Sequence, residues 1–359
     1  MPGPQRISSL TPIAQVLARV EALAKPVAPR EAAVADAEGR VLAADAVATA
    51  PRPTGPVALW DGWAVLGDQV ADAGPYAPMP LGCVPSWVNA GDMLPAGTDT
   101  VLPPDAVTGN EAVASATTGD GVLVAGADAV PERPLRLAGE RLRAADVAAL
   151  QAAGITRVTV REPRVRVVAM PGCDAVALTI SRAISSHGAV VIFVRALERA
   201  LADEQTDIVI TVGGTGAGSR DNSVEMLARM GEVVVHGFGI APGETAALGV
   251  AKAHPVLLLP ARLDAALAAF LLVGEPLLRR LTGAAARDPG LPVKLARKIV
   301  STIGIAEAVP VRRSADGVEP LASGHWPLHA LTRADGWVLV PPESEGFAAG
   351  TVVEMRAFP

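Results

Sequence analysis

The chain has 359 residues, half of them apolar, so it can bury large cores and, at roughly 150 residues per domain, is expected to contain two to four domains. Its formal net charge of −6, with 31 basic and 37 acidic residues interspersed, argues against a nucleic-acid surface, which needs clustered Lys and Arg. Only two cysteines occur, Cys83 and Cys173, without the spacing of a redox or zinc motif. They are expected to be reduced thiols. The N-terminal residues lack the apolar core of a signal peptide, and no run approaches the roughly 20 apolar residues that span a bilayer, so a cytoplasmic protein without membrane contact is expected.

In chain order, Ile13, Val16, Leu17, Val20 and Leu23 recur at helical spacing, with Thr11-Pro12 read as cap and first-turn proline. From 51 to 134 short β-type runs at 57–60, 62–65 and 100–103 alternate with Pro and Gly, which predicts a compact β-rich subdomain. A helix over 144–153 closes at Gly154, and a strand over 157–160 follows. The pattern then becomes β-α-β, with strands at 164–170, 189–194 and 207–212 and helices at 175–186 and 196–203. Beyond them come a helix at 223–230, strands at 232–235 and 256–259, and a helix at 263–281. Such alternation of Val/Ile runs and helices predicts a doubly wound parallel sheet covered on both faces. After a Gly/Ala/Pro linker at 282–292, runs at 298–303, 307–313, 336–340 and 352–355 predict a small β domain, and Asp316-Gly317 signals a hairpin.

The most telling segment is 208–225, I-V-I-T-V-G-G-T-G-A-G-S-R-D-N-S-V-E. A β-branched strand runs into Gly213, Gly214, Gly216 and Gly218 and then into a helix start, which directs backbone N–H groups toward an anion such as phosphate. The spacing fits neither a P-loop nor a dinucleotide fingerprint, and a plain β-α crossover turn is the bland alternative. Asp221 at the end of the turn could either cap the helix or hold a cation beside a phosphate. His187, His254, His325 and His329 lack partners at ligand spacing and read as structural or solvated. His236 follows a strand end near the expected pocket and is the one to watch. Asp61, between Trp60 and Trp63, is either a turn aspartate or a functional one, and a G-x-S-x-G nucleophile motif does not occur.

In that order the pieces resemble the molybdopterin molybdenumtransferase family, which includes MoeA and the gephyrin E domain. L-W-D-G-W-A-V at 59–65 is similar to the family's M-D-G-Y-A-V, and A-G-D-M-L-P-A-G-T-D-T-V at 90–101 to T-G-A-x-L-P-x-G-A-D-A-V. V-G-G-T-G-A-G-S-R-D at 212–221 is similar to S-G-G-V-S-V-G-D-Y-D, and the segment at 323–337 to S-G-x-L-x-S-L-x-x-A-D-G. The resemblance implies a multidomain α/β fold: elongated N-terminal subdomains over 1–160, a doubly wound molybdopterin-binding domain over 161–283 and a C-terminal β-barrel-like domain over 284–359. It also implies a homodimer and Mg²⁺-dependent insertion of molybdate into adenylylated molybdopterin; a molybdoenzyme client belongs to the alternative reading, a carrier or assembly partner. Asp61 and Asp221 would be catalytic, Asp221 would hold the metal, and Gly213, Gly214, Thr215, Gly216, Gly218, Ser219 and Arg262 would bind the cofactor.

Departures from the family pattern remove charge. A-M-K-P-G-K-P reads G-I-A-P-G-E-T, placing Ala241 and Glu244 where lysines are expected, a change of three charge units beside an anionic ligand. P-G-N-P-V-S becomes P-A-R-L-D-A, with Arg262 as a substitute cation, and R-x-x-G-E-D becomes R-L-A-G-E-R, ending in Arg141. S-T-G-D-E-L is reduced to M-P-G-C-D at 170–174. These losses bring in a second reading, a non-catalytic molybdopterin carrier or assembly protein.

Overall fold

A computed structural model describes residues 5–285 and 290–359; residues 286–289, inside the expected linker, lie outside the described residues. The helix Ile13–Leu23 buries Val16 and Val20 against the central core, as its periodicity requires. Pro12 stands at the N-cap position and not in the first turn, so Thr11 is not the cap. These two residues form a short strand beside Phe238–Ala241, and no side chain caps the helix. Arg30–Ala33, Arg157–Arg161 and Val41–Leu42 then make a three-stranded sheet, with Arg157–Arg161 in the middle, covered by the helix Ala144–Ala152. Gly154 ends that helix at φ +79°, the left-handed geometry that glycine adopts without strain.

Residues 51–134 form the predicted β-rich lobe. Gly62–Val65 is the middle strand of three, between Ser86–Val88 and Thr100–Leu102, and Leu102, Val70 and Ala112 fill a small core beneath. Many short strands replace a few long ones because proline and glycine interrupt every ladder.

The central sheet has six strands among the described residues, ordered Val190–Phe193, Arg164–Ala169, Ile208–Val212, His254–Leu259, Ala247–Ala251, Glu232–His236. The first four are parallel and carry helices on both faces, as the sequence predicts. One edge differs: Ala247–Ala251 runs antiparallel to both of its neighbours, making the sheet mixed. The predicted helix at 263–281 is interrupted. Leu263–Ala269 and Glu275–Thr282 flank a π-helical turn over Phe270–Gly274, immediately before Pro276, whose missing N–H cannot continue the α-helical ladder.

The C-terminal sheet is ordered Thr11–Pro12, Phe238–Ala241, Ala306–Ser314, Gly336–Val340, Val352–Arg356, Leu291–Lys294, with Gly317–Pro320 pairing Ala306–Ser314 through the predicted Asp316-Gly317 hairpin. The run expected at 298–303 shortens to Ile299–Val300. Two strands of this sheet come from earlier in the chain. That linkage brings the 241–245 loop and the 323–325 loop to the carboxyl ends of the central parallel strands. No helix among the described residues is long and apolar enough to cross a membrane.

Candidate functional site

Ile208–Val212 is buried along its whole length between two parallel neighbours, so the turn that follows opens at the carboxyl edge of the sheet, where ligands of such sheets bind. Gly213 and Gly214 take φ +98° and +78°, turning the chain out of the strand. Gly213 does not face the ligand side. Its N–H donates to Leu259 O at 2.8 Å, and a Cβ there would meet Cys173 Sγ at 2.7 Å, so its role is close packing against the 170–174 turn. Gly214 is held by Ser223, whose N–H donates to the Gly214 carbonyl at 3.0 Å and whose hydroxyl donates to the Gly213 carbonyl at 2.9 Å.

Beyond this clamp the turn is open. The N–H groups of Gly214, Thr215, Gly216, Ala217 and Ser219 have no acceptor among the described residues, while that of Gly218 donates to Asp221 Oδ2 at 2.8 Å. Asp221 therefore closes the turn on itself and does not cap the helix Ser223–Met230. The N-cap position there is Asn222, and no side chain bonds from it. The other carboxylate oxygen of Asp221 accepts no hydrogen bond among the described residues. Gln5 occupies the helix start instead: its Oε1 accepts the Glu225 N–H at 3.3 Å, and its Nε2 donates to the carbonyls of Gly214 at 2.7 Å and Gly216 at 2.8 Å. Nothing in the sequence marks Gln5, because its partners lie more than 200 residues away.

The turn forms one wall of a cavity of about 460 Å³, shared with Glu244 and Thr245, Arg262 and Asp264, and the loop at Gly324 and His325. Thr215 Oγ1 lies 3.0 Å from Thr245 Oγ1, and the His236 ring meets the Thr215 carbonyl through Nε2 at 3.1 Å. A ring nitrogen facing a carbonyl oxygen must donate, which fixes the proton on Nε2. His236 thus supports the cradle from behind, and His325, read as structural or solvated, lines the cavity itself. Glu244 stands at the cavity where a lysine was expected; Ala241 lies in the adjoining cleft, which Glu244 and Gly324 also line.

Arg262 does line the cavity, but its fork is spent on a neighbour. Nε and Nη2 donate to the two oxygens of Asp264 at 3.1 and 2.8 Å, an interaction that raises the Arg262 pKa. Burial pushes the Asp264 carboxyl up. The bonds from Arg262 and from the Trp326 and Ala265 amides outweigh that penalty and hold it below the usual carboxylate range. One guanidinium consequently faces three carboxylates, Asp221, Glu244 and Asp264, and the cavity is acidic by two charges.

Asp61 is not brought to this wall. It is exposed on the β-rich lobe, where its Oδ1 accepts the Ala90 N–H at 2.8 Å, and it lines no part of the cavity. Ser219 stands exposed at the tip of the turn, outside the cavity lining.

With that geometry in place, three family models account for most of the chain. Residues 11–154 match the MoeA N-terminal region (domain I and II), 191–280 a probable molybdopterin binding domain, and 292–358 the MoeA C-terminal region (domain IV). The chain belongs to the MoeA family. Molybdopterin molybdenumtransferase 1 of Mycobacterium tuberculosis is 26% identical over 414 aligned residues, covering 94% of this chain and 96% of that protein. A protein of Methanocaldococcus jannaschii is 29% identical over 163 residues, which is 45% of this chain but only 38% of the archaeal one. Among solved structures, a molybdopterin biosynthesis MoeA protein from Pyrococcus horikoshii superposes with a TM-score of 0.72 at 26% identity, covering 98% of this chain and all of that one. A second structure of a P. horikoshii MoeA protein, at 20% identity and a TM-score of 0.74, shares the fold. MoeA membership places the chain in molybdenum cofactor biosynthesis, with the glycine turn in its molybdopterin-binding domain.

Proposed function

We propose that this MoeA family member inserts molybdate into molybdopterin, presented in adenylylated form, at the cavity bounded by the glycine turn. The observation that carries the reading is the set of unsatisfied N–H groups at Gly214, Thr215, Gly216 and Ala217, the first three on the cavity wall. Bare amides on a pre-shaped turn bind phosphate oxygens without any lysine. Molybdate, the cargo, is a further oxyanion, and Thr215, Thr245 and His325 are the side-chain donors left to receive it.

A Mg²⁺ ion suits the donor set only in part. No three acidic, His or Cys side chains among the described residues are close enough together to hold a metal ion, so Asp221 would contribute one carboxylate oxygen and the ligand's phosphates most of the others. Such an ion would neutralise phosphate charge and so favour loss of the nucleotide. Asp61 acts in this scheme only if a second copy of the chain delivers it across a homodimer interface.

A second reading, a carrier that holds molybdopterin for a molybdoenzyme without turning it over, is favoured by the acidic balance of the cavity. Three carboxylates oppose an incoming molybdate, and Arg262 is already engaged. Incubation of the protein with adenylylated molybdopterin, molybdate and Mg²⁺ separates the two. AMP release supports insertion; tight pterin binding without AMP release supports the carrier. Failure to bind pterin in either form removes both.

A further inference from the structure

A second cleft lies where the helices Asp174–Ser186 and Glu275–Thr282 end, against the loop at 136–143 of the N-terminal region. Both helices run back from the carboxyl ends of parallel strands, so this cleft sits at the other end of the sheet from the glycine turn. It has a volume of about 580 Å³ and is lined by the guanidiniums of Arg136, Arg141, Arg143 and Arg279, with the carboxylates of Glu140 and Glu275.

The four cations are not equally matched. Arg143 is bidentate on Asp146, with both contacts at 3.0 Å, and Arg136 Nε lies 3.1 Å from Glu140. Arg141 and Arg279 have no carboxylate oxygen within 4 Å among the described residues. Arg141 is half-buried, and that burial lowers its pKa, partly offset by the field of Glu275. Its one bond is from Nη1 to the Ser186 carbonyl at 2.5 Å, at the C-terminal end of a helix, which leaves most of its donors unused. Arg136 Nη2 donates to the Arg141 carbonyl at 3.3 Å and so fixes the loop that presents it. A guanidinium taken partly out of water with no carboxylate in direct contact, and only the more distant field of Glu275 beside it, is costly, and the cost is recovered when an oxyanion enters. Forked N–H groups match phosphate oxygens in particular.

We propose that this cleft is a second ligand site, which takes a small phosphorylated anion on Arg141 and Arg279. Arg141 is the residue at which the R-L-A-G-E-R segment departs from the family's terminal aspartate, so the site belongs to this chain's own sequence.

Titration calorimetry with inorganic pyrophosphate, in the absence of pterin and molybdate, tests the site. The expected result is saturable binding that weakens with added salt and falls about tenfold in Arg141→Gln and in Arg279→Gln. Arg279→Gln guards the outcome, since this half-exposed side chain makes no bond among the described residues whose loss could unfold the protein. Arg141→Lys should keep more affinity than Arg141→Gln. An ADP arm separates the two sources of phosphate: equal affinities confine recognition to the phosphates, and tighter ADP binding makes the ligand a nucleotide. Absence of binding, or binding indifferent to both Gln variants, overturns the proposal. So does a change in oligomeric mass in the variants with anion affinity intact, which would make the cleft a protein contact. None of these outcomes depends on AMP release.

Discussion

The two ends of the central sheet carry clefts of opposite electrical character. At the carboxyl end, neutral backbone N–H groups of the glycine turn face a cavity whose charged side chains are three carboxylates to one guanidinium; at the amino end, four arginines line a cleft with two carboxylates. If both clefts take anions as proposed, recognition in this fold need not follow formal charge. The glycine turn offers partial charges built into the backbone, which no substitution removes without deforming the chain. The far cleft offers full charges on side chains, and point mutations can reverse those freely.

The most damaging change should be Gly214→Ala. A Cβ at φ +78° would stand 2.2 Å from Ser223 Oγ, so the turn must deform; a stability loss of about 2–4 kcal/mol and loss of pterin binding are expected, measured by thermal melting and by fluorescence titration with molybdopterin. Restoring charge at the acidic end should act in the opposite sense. Ala241→Lys with Glu244→Lys is expected to raise molybdate affinity by about tenfold or more, and an unchanged affinity in equilibrium dialysis would separate these positions from the oxyanion.

A smaller effect, about 1–3 kcal/mol, is expected from Asp264→Asn, which releases Arg262 and weakens the anchor of the Trp326 amide. Because the Asp264 carboxyl is depressed in the folded state, its contribution is complete at neutral pH and is lost as the pH falls through its folded pKa, below the usual carboxylate range. Chemical denaturation of the parent chain and the variant should therefore converge on acidification. The slightest change should come from Gln5→Ala, which frees the Glu225 N–H and uncovers the start of Ser223–Met230. Anion affinity at the glycine turn should rise about two- to threefold, and a fall would show that Gln5 helps to bind the ligand.

Local pattern carried the reading far. The β-branched run 208–212 reads as a buried strand and the four glycines after it as a turn, and both are observed; whether the turn cradles an anion or only closes a crossover stays open in the spacing. Ala247–Ala251 was not legible, because A-L-G-V-A combines small residues with a glycine, and its strand character comes from pairing on both sides. The interruption at 270–274 was hidden within an apolar run that reads as continuous helix; its one sign is Pro276. Asp221 left two roles open, and the observed bond to Gly218 N–H removes the capping role without deciding the cation one.

By itself the sequence determined the order of elements, the glycine turn and the loss of the expected lysines, since each is written in residues close together along the chain. Only the tertiary structure decided that Gln5 covers the helix start, that Arg262 is held by Asp264, that His325 reaches the cavity, and that Arg141 and Arg279 line one cleft at the far end of the sheet. Gln5, His325 and Arg141 lie beside segments tens to hundreds of residues away, and the Asp264 that holds Arg262 also accepts the Trp326 amide, 62 residues on. Such contacts arise from the packing of separate segments, which no local periodicity encodes.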